Sequence, residues 1–295
     1  MPPTERFGPR DLLVALMVNV VWGLNIVAVK LSVDLAPPFT VALFRQAMVL
    51  LVCLPWLRII PGRMGDLIGL SILIGGVFFA FVNTSIEVTE NVGALAIAGL
   101  MGAPFSLILA IIFLKERIGW PRIAGMTLAL AGCSLLVFDP SAAREWFGIT
   151  LNMIASLIWA FGSLLQRRLT GVHVLTIYAW IGLGGVILLG PLALVMETDT
   201  MTGVAAIPPM AFVWIGFSAF GSTILGNGGM AWLLQRHPVS TVIPVTLGAP
   251  VVGVVASSIV FGNALTPVMV LGGAIAMAGV AIVTMRTAKA GEKKA

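Results

Sequence analysis

Two cations stand inside long apolar runs, where hydrocarbon rather than water would surround them: Arg45 within Pro38–Leu57 and Lys30 near the end of Asp11–Val33. A charge at such a depth is costly and usually faces a bundle interior or a wet cavity. Arg45 sits two helical turns, roughly 10 Å, inside its segment. Its planar guanidinium suits bidentate contact with a carboxylate or phosphate. The competing reading is a structural pair with Asp34, Glu87 or Glu90. Lys30 is close enough to the segment end to snorkel to the interface. Upstream of it stands Trp22-Gly23-Leu24-Asn25. An amide at the depth of Asn25 must find a partner, because hydrocarbon offers none. It serves either as a contact between helices or as a recognition group in a cavity, with Trp22 and Trp159 as candidate walls.

Asn83 and Asn227 are further candidates, Asn227 lying among Gly226, Gly228 and Gly229. Glycine-interrupted segments at corresponding places in two halves point to a substrate site. Pro104 and Pro250 should kink their helices and free backbone carbonyls. The substrate-binding set expected from sequence is therefore Trp22, Asn25, Arg45, Asn83, Trp159 and Asn227, with kinks at Pro104 and Pro250. Trp56, Trp120, Trp146 and Trp214 fall near segment ends and read as interface anchors.

Other chemistries find little support. No apolar segment carries an acid near its middle, which argues against a buried-carboxylate proton relay. There is no phosphate-cradling Gly-rich loop with its lysine, so ATP is not expected to drive the protein directly. Cys53 and Cys133 fall in apolar runs and read as small hydrophobes. His173 and His237 show no metal or catalytic spacing. The net charge of +5 is scattered over short loops, which topology explains better than nucleic acid.

The elements that must hold these residues are membrane helices. The chain is 59% hydrophobic and 10% charged, with a mean hydropathy of +1.07. Ten segments reach the roughly 20 residues needed to cross hydrocarbon: Asp11–Val33, Pro38–Leu57, Leu67–Ile86, Val92–Leu114, Pro121–Phe138, Ile149–Gln166, Leu175–Met196, Pro209–Leu234, Ser240–Phe261 and Pro267–Met285. With this threading, 14 of the 17 Lys and Arg residues fall on one side: Arg6, Arg10, Arg58, Arg63, Lys115, Arg117, Arg122, Arg167, Arg168, Arg236, Arg286, Lys289, Lys293 and Lys294. The other side holds Arg144 against Asp34, Glu87, Glu90, Asp139, Glu145, Glu197 and Asp199. Short loops keep their cations inside, so both termini are expected in the cytoplasm. The first segment is too long for a cleaved leader and is expected to be retained.

The chain also repeats itself. Trp22 and Lys30 recur as Trp159 and Arg167, 137 residues on. Gly102-Ala103-Pro104 and Pro121 recur as Gly248-Ala249-Pro250 and Pro267, 146 residues on. Each half then holds five helices, and an odd number inverts the second copy. Inverted repeats are the common architecture of secondary transporters, with substrate near the midplane. The expected fold is an all-α membrane protein of ten transmembrane helices in two inverted five-helix repeats, residues 1–140 and 141–295.

Through Trp22-Gly23-Leu24-Asn25 with Lys30, Pro37-Pro38, Arg45, Pro104, Lys115-Glu116-Arg117-Ile118 and the stretch Gly125 to Gly132, the chain resembles the EamA-type transporters of the drug/metabolite transporter superfamily. It departs from them at Lys115, where that family usually has glycine, and at Gly262-Asn263, where the second copy lacks a Glu-Arg pair. The resemblance implies a multi-pass carrier of the bacterial inner membrane. Such a carrier is expected to export amino acids or derivatives by alternating access, with metabolite uptake or amphipathic drug efflux as the alternative. No catalytic activity, cofactor, metal or nucleic-acid partner is expected. The expected partners are a small-molecule substrate, carboxylate-bearing if Arg45 binds it, and the lipid bilayer, with a homo-oligomer left open.

Overall fold

The computed structural model describes residues 8–115, 119–237, 242, 246–263 and 265–292. Arg6, Glu116-Arg117-Ile118, the start of the ninth segment at Ser240, Lys293 and Lys294 lie outside the described residues. The described chain is all helix, without strand. Its long elements are α1 (Pro9–Val33), α2 (Pro38–Trp56), α3 (Met64–Glu87), α4 (Val92–Phe113), α5 (Trp120–Ser134), α6 (Trp146–Arg168), α7 (Val174–Met196), α8 (Pro209–Leu234), α9 (Ala249–Phe261) and α10 (Pro267–Met285). Among the described residues, eight are long and apolar enough to cross a membrane: all except α5 and α9. Prolines open α2, α5, α8 and α9 in the first turn, where the missing N–H costs no hydrogen bond. Ile112, Ile187 and Leu271, within α4, α7 and α10, are each more than half exposed. In water that pattern would aggregate; on a multi-pass protein it is the surface that hydrocarbon wets.

The two prolines expected to kink their helices both stand close to a helix start. α4 breaks at a 3₁₀ turn, Gly99–Met101, and Pro104 stands in the first turn of the helix that resumes at Gly102. Pro250 likewise stands in the first turn of α9, behind Gly248. The two helices also end alike. Lys115 closes α4 with φ +52° and Gly262 closes α9 with φ +69°. Both are left-handed caps, a conformation that glycine takes freely and lysine does not. That is the physical reason a glycine suits the position Lys115 occupies.

The chain folds as two compact units that do not follow the sequence halves. The first combines Met1–Val27, Asn91–Trp146 and Gly221–Ala295; the second combines Ala28–Glu90 and Phe147–Phe220. In the first, α5 and α10 approach through glycines. A Cβ on Gly132 would meet the Gly272 carbonyl at 2.5 Å, and one on Gly125 the Gly279 carbonyl at 2.9 Å. Small residues let helices pack backbone to backbone, which drives association in lipid. In the second unit, Leu67, Leu70, Ile74, Leu169, Ile177 and Ile181 form a buried cluster. There α7 presents Gly182, Gly184 and Gly185 to α2 and α3.

Candidate functional site

The middle of α3 is not α-helical. Ser71–Phe78 forms a π-helix, flanked by Met64–Leu70 and Phe79–Glu87 in α form. α8 does the same at Phe217–Gly226, between Pro209–Gly216 and Asn227–Arg236. The two π segments begin 146 residues apart, the spacing of the sequence repeat. π-helix is rare and concentrates at functional positions, because its wider turn leaves backbone groups available to side chains. In each segment a carbonyl is taken up in this way. Gln46 Nε2 of α2 donates to the Gly75 oxygen at 2.9 Å, and Trp22 Nε1 of α1 donates to the Ser222 oxygen at 3.3 Å. Gln46 is almost fully buried. Sequence reading passed over it in favour of its charged neighbour.

Of the six candidate residues, the second unit brings three together. The Arg45 Cζ lies 4.4 Å from the centre of the Phe79 ring, and the guanidinium is buried on it. Tyr178 of α7 is near enough to interact with that charge. Phe79 stacks edge-on with Phe78 at 5.0 Å, and Phe78 meets Trp159 of α6 at 5.3 Å. Asn83 stands one helical turn beyond Phe79 on the same face. Its Nδ2 donates to the Pro38 carbonyl at 3.2 Å, at the start of α2. So Arg45 and Trp159 are joined through Phe79 and Phe78, and Asn83 stands one turn beyond Phe79.

The other three candidates belong to the first unit. Trp22 lies against Gly226, where a Cβ would meet the indole Cδ1 at 2.7 Å, and Asn227 is the next residue. Gly23 packs on α9, where its Cβ would meet the Ala249 oxygen at 2.7 Å. Asn25 and Asn227 are both half-buried. Asn19, which the sequence did not single out, is buried a turn earlier in α1, and its Oδ1 comes within 3.1 Å of where a Gly248 Cβ would be.

The loop charges also have work. Lys30 Nζ pairs with Asp34 at 3.0 Å and donates to the Glu87 carbonyl at 3.2 Å. Asp34, one of the acids weighed as a partner for Arg45, is thus engaged by Lys30. Glu197 accepts from the backbone N–H of Phe39 (2.8 Å) and Thr40 (2.7 Å) and from the Thr40 hydroxyl (2.6 Å). Its carboxylate therefore neutralises the positive end of α2. Beside it a cavity of about 520 Å³ is lined by Pro38, Thr84, Glu87, Glu197 and Asp199 among others. In the first unit, His237 Nε2 lies 3.2 Å from Asp11 Oδ2, a pairing that local spacing could not reveal. Among the described residues, no group of three or more His, Cys, Asp or Glu side chains could hold a metal.

Comparison with known proteins adds three findings. The model of the EamA-like transporter family matches twice, at residues 10–138 and 146–285. A protein of Escherichia coli (strain K12) named "Probable amino-acid metabolite efflux pump" is 27% identical over 281 residues, 92% of this chain and 94% of that one. One of Streptantibioticus cattleyicolor, named "Probable terminal-alkyne amino-acid exporter", is 26% identical over 206 residues, 68% of this chain and 67% of that one. A solved crystal structure superposes with a TM-score of 0.60 at 16% identity, covering 96% of this chain and 99% of that one, a likeness of fold.

Proposed function

This chain belongs to the EamA-like transporter family, and from that premise we propose that it exports amino acids or close derivatives across a bacterial inner membrane by alternating access. It is a multi-pass transporter rather than an enzyme. Two of its relatives carry amino-acid efflux or export in their names. The observation that carries the cargo class is the guanidinium of Arg45, held inside a span on the Phe79 ring. A buried, permanently charged fork matches a carboxylate in shape as well as sign.

In this reading Arg45 binds the substrate carboxylate, while Asn83 and Trp159 complete the part of the site carried by the second unit. Trp22, Asn25 and Asn227 are the candidates for substrate contact that the first unit carries by itself. The sequence halves 1–140 and 141–295 are inverted five-helix copies, with α5 and α9 as the remaining two of ten spans and both termini in the cytoplasm. Twin π segments 146 residues apart, in helices of the two copies, agree with that duplication. The experiment is efflux in cells. Overproduction of the protein should lower the intracellular level of at least one amino acid loaded as a dipeptide, with matching appearance outside. Unchanged efflux of every amino acid tested, from cells with verified folded protein, overturns the proposal.

A further inference from the structure

We propose that Asn83 is the reader of the cargo's α-ammonium group, so that the second unit carries a site for the zwitterion of a free α-amino acid. This rests on the reading of the chain as an amino-acid exporter. Asn83 is 1% exposed and its Nδ2 is committed to the Pro38 carbonyl, yet among the described residues its Oδ1 has no hydrogen-bond partner. A buried amide oxygen left in that state costs stability, and a site whose ligand completes it recovers that cost only when the ligand is bound. The group that completes it must be a donor. Its surroundings favour a cationic one: Glu87 is the next residue on this face of α3, one turn on, and the cavity lined by Pro38, Thr84 and Glu87 also carries Glu197 and Asp199.

The spacing to Arg45 fits one molecule. Phe79, on which the guanidinium lies, and Asn83 are four residues apart on one helix, about 6 Å along its axis. On the facing helix, Asn83 bonds to Pro38 while Arg45 stands two turns further along. An arginine on a helix leans toward its N-terminus, here toward Pro38 and hence toward Asn83. An ammonium and a carboxylate on one α-carbon, each at the end of a charge-assisted hydrogen bond of about 2.8 Å, bridge such a gap. The carboxylate is then read at Phe79 and the ammonium toward the acidic cavity. An acid lacking the amine would leave Oδ1 unsatisfied, and an N-acylated amino acid would bring a neutral donor with a bulky substituent.

The test uses purified full-length protein and three labelled pairs: L-leucine with 4-methylpentanoate, L-phenylalanine with 3-phenylpropanoate, and L-cysteine with 3-mercaptopropanoate. Wild type should bind at least one amino acid about tenfold or more tightly than its amine-free partner, the worth of one hydrogen bond to a charged group. Asn83→Leu should erase that preference, so that each amino acid binds no more tightly than its amine-free partner. Asn83→Asp, which keeps the shape and adds charge, should widen it, and it serves where the leucine variant fails to fold. A preference that persists in Asn83→Leu, or fails to change in Asn83→Asp, overturns the assignment and leaves the export reading standing. Equal wild-type affinity for both members of every pair does the same. Wild type that binds none of the three amino acids overturns the export reading itself, and this inference with it.

Discussion

Replacing Arg45 separates recognition from architecture. The side chain is 8% exposed and its Cζ lies 4.4 Å from the Phe79 ring centre. A desolvated stack of this kind is worth up to about 2 kcal/mol. The second N–H of a bidentate contact adds about 1 kcal/mol. Arg45→Lys keeps the charge and part of the stack but loses the fork, so substrate binding should weaken by about 1–2 kcal/mol, roughly 5- to 30-fold in Kd. Arg45→Gln also loses the charge-assisted bond, and about 2–4 kcal/mol corresponds to a roughly 30- to 1,000-fold loss. Phe79→Leu, which frees the guanidinium without removing it, should fall between wild type and Arg45→Gln. The assay is equilibrium binding of a labelled amino acid to purified protein, expressed per monodisperse folded molecule. A structural role predicts another pattern: less folded protein, with survivors of wild-type affinity, and rescue of the yield when Asp34, Glu87 or Glu90 is also neutralised. Wild-type Kd in folded Arg45→Gln refutes the carboxylate role.

Three further outcomes are expected. Lys115→Gly should raise stability by about 1 kcal/mol, because the left-handed cap at φ +52° costs lysine what glycine is spared; an unchanged or lower melting temperature counts against it. The double change Pro104→Ala, Pro250→Ala should cut transport more than it cuts folded protein, since an unbroken helix would replace the 3₁₀ turn at Gly99–Met101; undiminished transport removes these prolines from the mechanism. With Cys53 and Cys133 replaced, a cysteine between Glu197 and Pro209 should react with an impermeant maleimide in intact cells, whereas reaction instead between Arg167 and His173 inverts the topology.

Much of the architecture was legible because it is written in local runs. A membrane helix declares itself by length and polarity, so segments such as Leu175–Met196 differ from the observed Val174–Met196 by a residue. Arg45 stood out for the same reason: a charge inside an apolar run is a local signal. The π segments were not legible. Ser71–Phe78 and Phe217–Gly226 read as ordinary apolar helix. Each opens a carbonyl to a donor far away in sequence, and Trp22 and Ser222 are 200 residues apart. The paired glycines at 75–76 and 184–185, which let α3 and α7 close on each other, were the available hint. Gln46, Asn19 and the Asp11–His237 pair escaped for a related cause. An uncharged polar residue inside an apolar run, or a charged one at its end, looks incidental until the helix that satisfies it is known. The interleaving of both halves in each compact unit is a property of long-range contacts, which repeat spacing does not encode.

The most direct test of the export reading is counterflow in liposomes. Purified protein is reconstituted into vesicles preloaded with millimolar unlabelled L-amino acid, and trace labelled amino acid is added outside. The account predicts transient accumulation of label above equilibrium for at least one α-amino acid, absent from protein-free vesicles and strongly reduced by Arg45→Gln at trace substrate. Vesicles that contain folded protein but take up every amino acid no faster than protein-free ones would contradict it.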